Sequence, residues 1–195
     1  MKSHFVALLL CGALANTLTL SAQSSTPSRF TLSTAVGLVP TYYKAGENSG
    51  MLPLSWRLGI DVSKNFTIGT FFGYSATTSK PGIFAEGVDS YITNNTKVFG
   101  VRAEIKKAFS ERIQGYGGSM IAMHYADVKE YSSKSKALVT RAEDAPTPFN
   151  PNEKKGKLTY SAFIGATVKV VKRIDLFGEI GYGISLANLG VCVRI

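Results

Sequence analysis

The sequence has few cysteines, few histidines and, after its first 22 residues, no long apolar run. Its only cysteines are Cys11 and Cys192, which excludes a small domain held together by disulfides. Beyond residue 22 the longest unbroken apolar run is Met120 to Met123, so that part of the chain has no membrane helix of about 20 apolar residues. A length of 195 residues is enough for one domain.

Catalytic motifs are equally scarce. After residue 22 the one histidine is His124, and the residues that follow are Tyr125 and Ala126. A His-x-Ser pair, in which the histidine of a lipid hydrolase activates the serine as nucleophile, therefore lacks its serine. One histidine, one cysteine and no clustered acids make a poor metal site, and no glycine-rich phosphate loop opens a helix. We expect no enzyme activity, no cofactor and no metal ion, and a lipid-modifying enzyme is the least favoured alternative.

Residues 1–22 have the pattern of a secretory signal peptide. Lys2 gives the positive start, an apolar stretch begins at Phe5, and Ser21 and Ala22 are small residues before the predicted cleavage site. Cleavage after Ala15 is an alternative with a shorter apolar region. We expect an exported product of residues 23–195, whose net charge is +8 because Lys2 is lost from a chain of charge +9.

The dominant pattern after residue 28 is alternation of apolar with polar or small residues, which is typical of β-strands. Eight strands are predicted, at residues 29–39, 52–62, 66–77, 95–106, 113–125, 157–170, 174–184 and 187–195. In 113–125 either parity carries apolar residues, and we place Ile121, Met123 and Tyr125 on the apolar face. Most of these strands are long enough for a tilted crossing of a bilayer, which takes about 9 to 11 residues.

Long and short connections alternate along the chain. The long ones are 40–50, 78–94 and 126–156, the short ones are 63–65, 107–112 and 171–173, and the last connection, near Ser185 and Leu186, is tight although it falls at a long position. Outer-membrane barrels have long outer loops and short periplasmic turns. The sequence therefore predicts an all-β, eight-stranded antiparallel up-and-down transmembrane β-barrel, monomeric and located in the cell outer membrane.

One face of the predicted strands is apolar, and the other is rich in glycine and carries charges. We predict that the apolar face meets lipid and that the second face lines a narrow lumen; a soluble barrel with the apolar side chains inside is the alternative. Charges removed from water must be paired, so four basic and four acidic residues are predicted to form a lumen ion-pair network. They are Arg57, Asp61, Arg102, Glu104, Lys169, Asp175, Glu179 and Arg194. A solvated face with an accidental charge balance is the alternative.

The excess positive charge is predicted to lie at the periplasmic rim. The residues are Arg29, Lys64, Lys106, Lys107, Arg112, Lys172 and Arg173. We expect them to contact anionic head groups of outer-membrane lipids, the alternative being solvated turn residues without a partner. Lys97 and Lys157, at the outer strand ends, account for the rest of the excess charge, and nucleic-acid binding is not expected.

Several segments resemble a known family of small outer-membrane barrels. Leu-Ser-Ala-Gln at 20–23, the eight alternating strands, Asp175 to Gly183 and Gly190 to Ile195 are similar to the OmpA-like, or outer membrane protein beta-barrel domain, class within the porin-like family of Gram-negative envelopes. The resemblance implies that Glu179 points into the lumen. It also implies recognition of the last strand by the outer-membrane assembly machinery, although such strands usually end on an aromatic residue and this one ends on Ile195.

These observations together predict a structural or surface-interaction role, with a lumen plugged by ion pairs and long polar extracellular loops. The loop 126–156 is polar and contains Pro146, Pro148 and Pro151, so we expect it to be displayed at the surface. It either binds a surface ligand of unknown identity or has no partner. A narrow porin-like channel is the alternative function.

Overall fold

The computed structural model describes residues 30–41, 47–83, 89–141 and 156–195, with the backbone alone at 47–50 and 83. The predicted signal peptide, Arg29 and residues 142–155 of the longest loop lie outside the described residues. Within the described ranges there is no helix whose length and hydrophobicity would let it cross a membrane.

Nine β-strands make up the described chain. They are β1 (Phe30–Gly37), β2 (Glu47–Ser63), β3 (Phe66–Ser79), β4 (Gly82–Ile83), β5 (Asp89–Ala108), β6 (Ile113–Ser132), β7 (Lys157–Val171), β8 (Ile174–Gly181) and β9 (Ala187–Arg194). The two-residue β4 pairs only with the start of β5. The other eight strands form the wall of the molecule.

These eight strands close into a barrel in which every pair is antiparallel. The order runs from β3 through β2, β1, β9, β8, β7 and β6 to β5, and pairing of β3 with β5 closes the ring. The predicted eight-stranded up-and-down barrel is therefore confirmed. Short connections at 64–65, 109–112 and 172–173 lie at one end, which we call the turn end; the opposite end is the loop end.

Three strands are longer than the alternation predicted. β5 begins at Asp89, β6 continues to Ser132 and β2 begins at Glu47, so parts of the predicted loops 40–50, 78–94 and 126–156 are strand. In the extension of β5 and β6 the outward side chains are polar, among them Thr93, Asn95, Asp127 and Lys129. The inward face there mixes Ala126 and Val128 with polar residues such as Thr96 and Glu130, so the outward apolar residues that mark the other strands in the sequence are missing.

Large apolar side chains point outward from every wall strand. Phe99, Val101 and Ile105 of β5 are each more than half exposed. The rings of Trp56 on β2 and Phe72 on β3 contact each other in a tilted arrangement, with centroids 5.6 Å apart. In β6 the outward parity predicted for the ambiguous strand is the observed one. Ile121 and Tyr125 are exposed, whereas Met120 and Ala122 are buried inside.

The β8–β9 connection, residues 182–186, folds into the loop end of the barrel. Ile184 and Ser185 are almost completely buried, and the Ser185 hydroxyl donates to the carbonyl of Val39 at 2.7 Å. Glycine at position 73 makes room for this connection, since a Cβ there would lie 2.9 Å from the Cβ of Ile184. The tight connection expected near Ser185 is thus an inward-packed segment.

Candidate functional site

A buried ion cluster lies at mid-height in the lumen, and Glu179 is its centre. Glu179 comes from β8 and Arg57 from β2, which are three places apart around the ring. The Arg57 guanidinium donates two hydrogen bonds to the carboxylate, at 2.8 and 3.0 Å. Arg102 of β5 donates a third at 2.8 Å. One carboxylate therefore joins three strands across the interior.

Further groups surround the two arginines of this cluster. Glu104 Oε1 lies 2.7 Å from Arg102 Nε, and the Tyr116 hydroxyl donates to Glu179 at 3.1 Å. The Arg102 guanidinium carbon lies 3.8 Å from the ring centroid of Phe163, and that of Arg57 lies 4.4 Å from the ring of Phe177. Both guanidinium groups thus have acidic and aromatic partners, as a charge in a confined interior requires.

Two more ion pairs lie nearer the turn end. Lys106 Nζ contacts Asp61 at 2.8 Å, and this carboxylate also accepts a hydrogen bond from the Thr67 hydroxyl. Asp175 of β8 is paired with Arg194 of β9. The structure thus brings seven of the eight predicted lumen residues into ion pairs.

The remaining predicted lumen residue, Lys169, is exposed near the end of β7, and the lumen position is taken by Lys106. Assigning Lys106 to the rim was wrong, because it has the parity of Arg102 and Glu104 and so points inward. That parity could have identified it. With Lys106 counted in the lumen and Lys169 at the rim, the net charge of the lumen residues is still zero and that of the rim is unchanged.

A cavity of about 330 Å³ lies between the central ion cluster and the turn end. Its wall includes hydroxyls of Ser33 and Thr67, both turn-end ion pairs, and the thiol of Cys192. Cys192 is free and half-buried. The cavity therefore gives water and small polar solutes a path as far as the cluster from one side.

An apolar layer covers the loop-end side of the ion cluster. It consists of side chains that are all at most 8% exposed: Phe71, Val98, Met120, Ala122, Phe163 and Ile184. The gap between this layer and the carboxylate of Glu179 has a volume of about 10 Å³, the lower limit for a single water molecule. Ionic and apolar layers are therefore in close contact across the lumen.

Another buried ion pair, which the sequence did not predict, attaches part of the longest loop to the loop end. Arg141 Nε and Nη2 each donate to the Glu130 carboxylate at 2.8 Å, and the Ser90 hydroxyl donates to it as well. The Val139 amide donates to the Glu130 carbonyl at 3.0 Å. Hydrogen bonding by Arg141 lowers the pKa of Glu130, with Ser90 adding to the effect.

Sequence alone offered no signal for this pair, since Arg141 lies in a segment without periodicity. Lys136, in the turn between the two partners, has a φ of 55°, a left-handed conformation that lets the chain reverse there. The segment 133–141 is therefore held against β6 by backbone contacts and by the Arg141 side chain.

The predicted basic rim residues lie where the turns are. Lys64, Lys107, Arg112, Lys172 and Arg173 are all exposed at the turn end, and Arg29 lies outside the described residues. His124 is half-buried on β6. Among the described residues there is no group of three His, Cys, Asp or Glu side chains that could hold a metal ion.

No protein-family model matches this chain, and no curated protein matches it. Among solved structures, a de novo designed transmembrane β-barrel is 12% identical, with a TM-score of 0.48, and the match covers 89% of this chain and 100% of that one. Neisserial surface protein A is 9% identical, with a TM-score of 0.43, and the match covers 89% of this chain and 99% of that one. Ail, the attachment invasion locus protein of Yersinia pestis, is 10% identical in its complex with the heparin analogue sucrose octasulfate. The TM-score is 0.42, and the match covers 86% of this chain and 94% of that one. Identities and TM-scores this low carry no argument about ligand or activity.

Proposed function

We propose that the protein is an outer-membrane β-barrel with a structural or surface-interaction role and a closed lumen. The observation that carries the proposal is the continuous apolar belt on the outside of the wall. Leu32, Leu58, Ile68, Val101, Ile121, Ile164, Leu176 and Leu189, one from each wall strand, are all at least 43% exposed. A soluble monomer seldom exposes an apolar patch of more than a few hundred Å², whereas a barrel in lipid needs such a belt.

The distribution of charge supports the same placement. Arg57, Arg102 and Glu179 are buried in the lumen. The outward-facing lysines of β5 lie at the two edges of its apolar residues: Lys97 follows the polar extension, and Lys107 is next to the last residue of the strand. Charged side chains on a lipid face cost about 2–4 kcal/mol at the bilayer midplane and little near the interfaces. Lipid would therefore contact the belt, and the loop end, with its long strand extensions, would face the cell exterior.

Closure of the lumen rests on two layers. The ion cluster of Arg57, Arg102 and Glu179 spans the interior, and the apolar layer with Ile184 packs directly on its loop-end side. The 330 Å³ cavity ends at this double layer. We therefore favour a plugged barrel over a porin-like channel, and we propose no enzymatic activity.

Quenching of Trp56 tests the membrane placement. Trp56 is the only tryptophan of the sequence and is 40% exposed on the belt. In liposomes of lipid brominated on the acyl chains, its fluorescence should be strongly quenched relative to unbrominated lipid. In a matched control, Trp56→Phe combined with Phe177→Trp, the tryptophan faces the cavity and should escape quenching. A protein that stays monomeric in water without detergent and shows no quenching of Trp56 would overturn the proposal.

The surface-interaction role is tested at the longest loop. Deleting residues 143–154 removes its distal part and leaves the Glu130–Arg141 pair in place. We expect the barrel to fold unchanged, with reduced attachment of cells that display it to a host-cell surface. Unchanged attachment would favour a purely structural role.

A further inference from the structure

Four basic residues lie on neighbouring backbone segments at the turn end, and we call them the basic turn cluster: Arg112, Lys169, Lys172 and Arg173. The Lys169 amide donates to the Arg112 carbonyl at 2.8 Å, which brings the β5–β6 turn beside the end of β7. Lys172 and Arg173 form the turn that follows β7. All four residues are exposed.

Little negative charge is left nearby to balance this cluster. The Asp175 carboxylate is buried and already paired with Arg194. In the described part of the chain, Glu111 is the other acidic residue on these turns, and no ion pair involves any of the four basic residues. Four adjacent positive charges repel one another, so the cluster would be stabilised by an external anion.

The position of the basic turn cluster at the edge of the apolar belt indicates which class of anion it meets. Ile113, Val168 and Ile174 lie within a few residues of it along the same strands and are exposed parts of the apolar belt. The edge of the belt is the level at which lipid phosphates meet a membrane protein, and basic residues there attract anionic lipids. A free solute could approach the cluster from water, but a lipid that also covers the belt is held there at high local concentration.

We propose that the basic turn cluster binds the phosphate groups of anionic phospholipids in the leaflet at the turn end. This inference rests on the proposed membrane placement and names the lipid class that the barrel prefers. Binding there would set the depth and tilt of β6, β7 and β8 in the bilayer. The lipid chemistry required is a head group with a net negative charge, such as phosphatidylglycerol.

Lipid selectivity measured by electron paramagnetic resonance tests this proposal. The folded barrel is reconstituted in phosphatidylcholine with a trace of spin-labelled phosphatidylglycerol or spin-labelled phosphatidylcholine. The motionally restricted fraction of each label gives its relative association constant. For the wild type we expect phosphatidylglycerol to be preferred by about fivefold, as for basic side chains near a membrane surface. The variant Lys169→Gln, Lys172→Gln, Arg173→Gln should lose most of this preference.

A second triple variant serves as the matched control. Lys80→Gln, Lys97→Gln, Lys134→Gln removes the same charge from exposed residues of the loop end and should keep the wild-type preference. An inserted barrel with no preference, or an equal loss in both variants, overturns the lipid site while the membrane placement stands. Absence of a restricted fraction for either label overturns the membrane placement itself.

Discussion

The carboxylate of Glu179 accepts two hydrogen bonds from the guanidinium of Arg57 across the barrel lumen, between strands that are not neighbours. A contact of this kind ties opposite parts of the wall together, which the ladder between adjacent strands cannot do. Arg102 shares the same carboxylate. Glu179 therefore stabilises two buried cations at once, and its removal leaves both without their main counter-charge.

We expect Glu179→Gln to lower the free energy of unfolding by about 3–5 kcal/mol, the cost of breaking a buried ion pair by removing one partner. Chemical unfolding of the detergent-folded barrel, followed by Trp56 fluorescence, measures the change. Asp61→Asn is the matched control, because the Asp61–Lys106 pair is more exposed and should contribute about 0–1 kcal/mol. Equal effects of the two substitutions would contradict a special role for the central cluster.

Cys192 reports on access to the lumen from the turn end. Its thiol lines the cavity below the ion cluster, so a small charged methanethiosulfonate reagent should modify it from the turn end only. The measurement uses barrels inserted in liposomes with one orientation and reagent on one side at a time. Asn94→Cys in a Cys192→Ser background places the thiol on the inward face near the loop end, and the accessible side should reverse. Modification of Cys192 from both sides would contradict a closed lumen.

Much of the barrel could be predicted because alternation is a local property of each strand. Phe99, Val101 and Ile105 follow one another at every second position, and this spacing alone places them on one face. The alternation of short and long connections then indicates a meander that closes on itself. The same reasoning placed Arg57, Arg102 and Glu179 on the inward face before their partners were known.

What could not be predicted depends on contacts between distant parts of the chain. Glu179 and Arg57 meet because of the stagger of β8 against β2, which no local pattern encodes. Ile184 is a lumen residue because a short connection folds inward, whereas the sequence there reads as an ordinary turn. Lys106 and Lys169 both have the inward parity of their strands, and they differ in their partners. Asp61 pairs with Lys106, whereas Asp175, which lies opposite Lys169 in the register, pairs with Arg194.

Ile184 should contribute to the stability of the barrel more than to the closure of its lumen. The side chain is 1% exposed within the apolar layer, so Ile184→Ala should lower the free energy of unfolding by about 2–5 kcal/mol through loss of packing. Planar-bilayer recordings should show no open-channel steps in the wild type, and none in this variant, because the ion cluster still spans the lumen. Channel steps in the wild type would overturn the plugged lumen.

The Glu130–Arg141 pair should make the attachment of segment 133–141 dependent on pH. The polar outward residues Asp127 and Lys129 on the same strand place this pair beyond the apolar belt. Because Arg141 lowers the pKa of Glu130 in the folded state, the pair stabilises the attachment fully above the ordinary glutamate pKa of about 4.3. This stabilisation is lost as the pH falls through the lowered pKa.

Hydrogen exchange at the Val139 amide, which donates to the Glu130 carbonyl, measures this dependence. After correction for intrinsic exchange, its protection should stay constant from neutrality down to about the ordinary glutamate pKa, and should fall only below it as the pH approaches the folded pKa of Glu130. Glu130→Gln should reduce protection at neutral pH by about 1.5–3 kcal/mol, the contribution of hydrogen bonds to a charged group, and should remove the pH dependence. The Phe99 amide in the barrel wall is the internal control and should stay protected throughout. Protection at Val139 that is the same in the variant and the wild type at neutral pH would show that backbone contacts alone hold the segment.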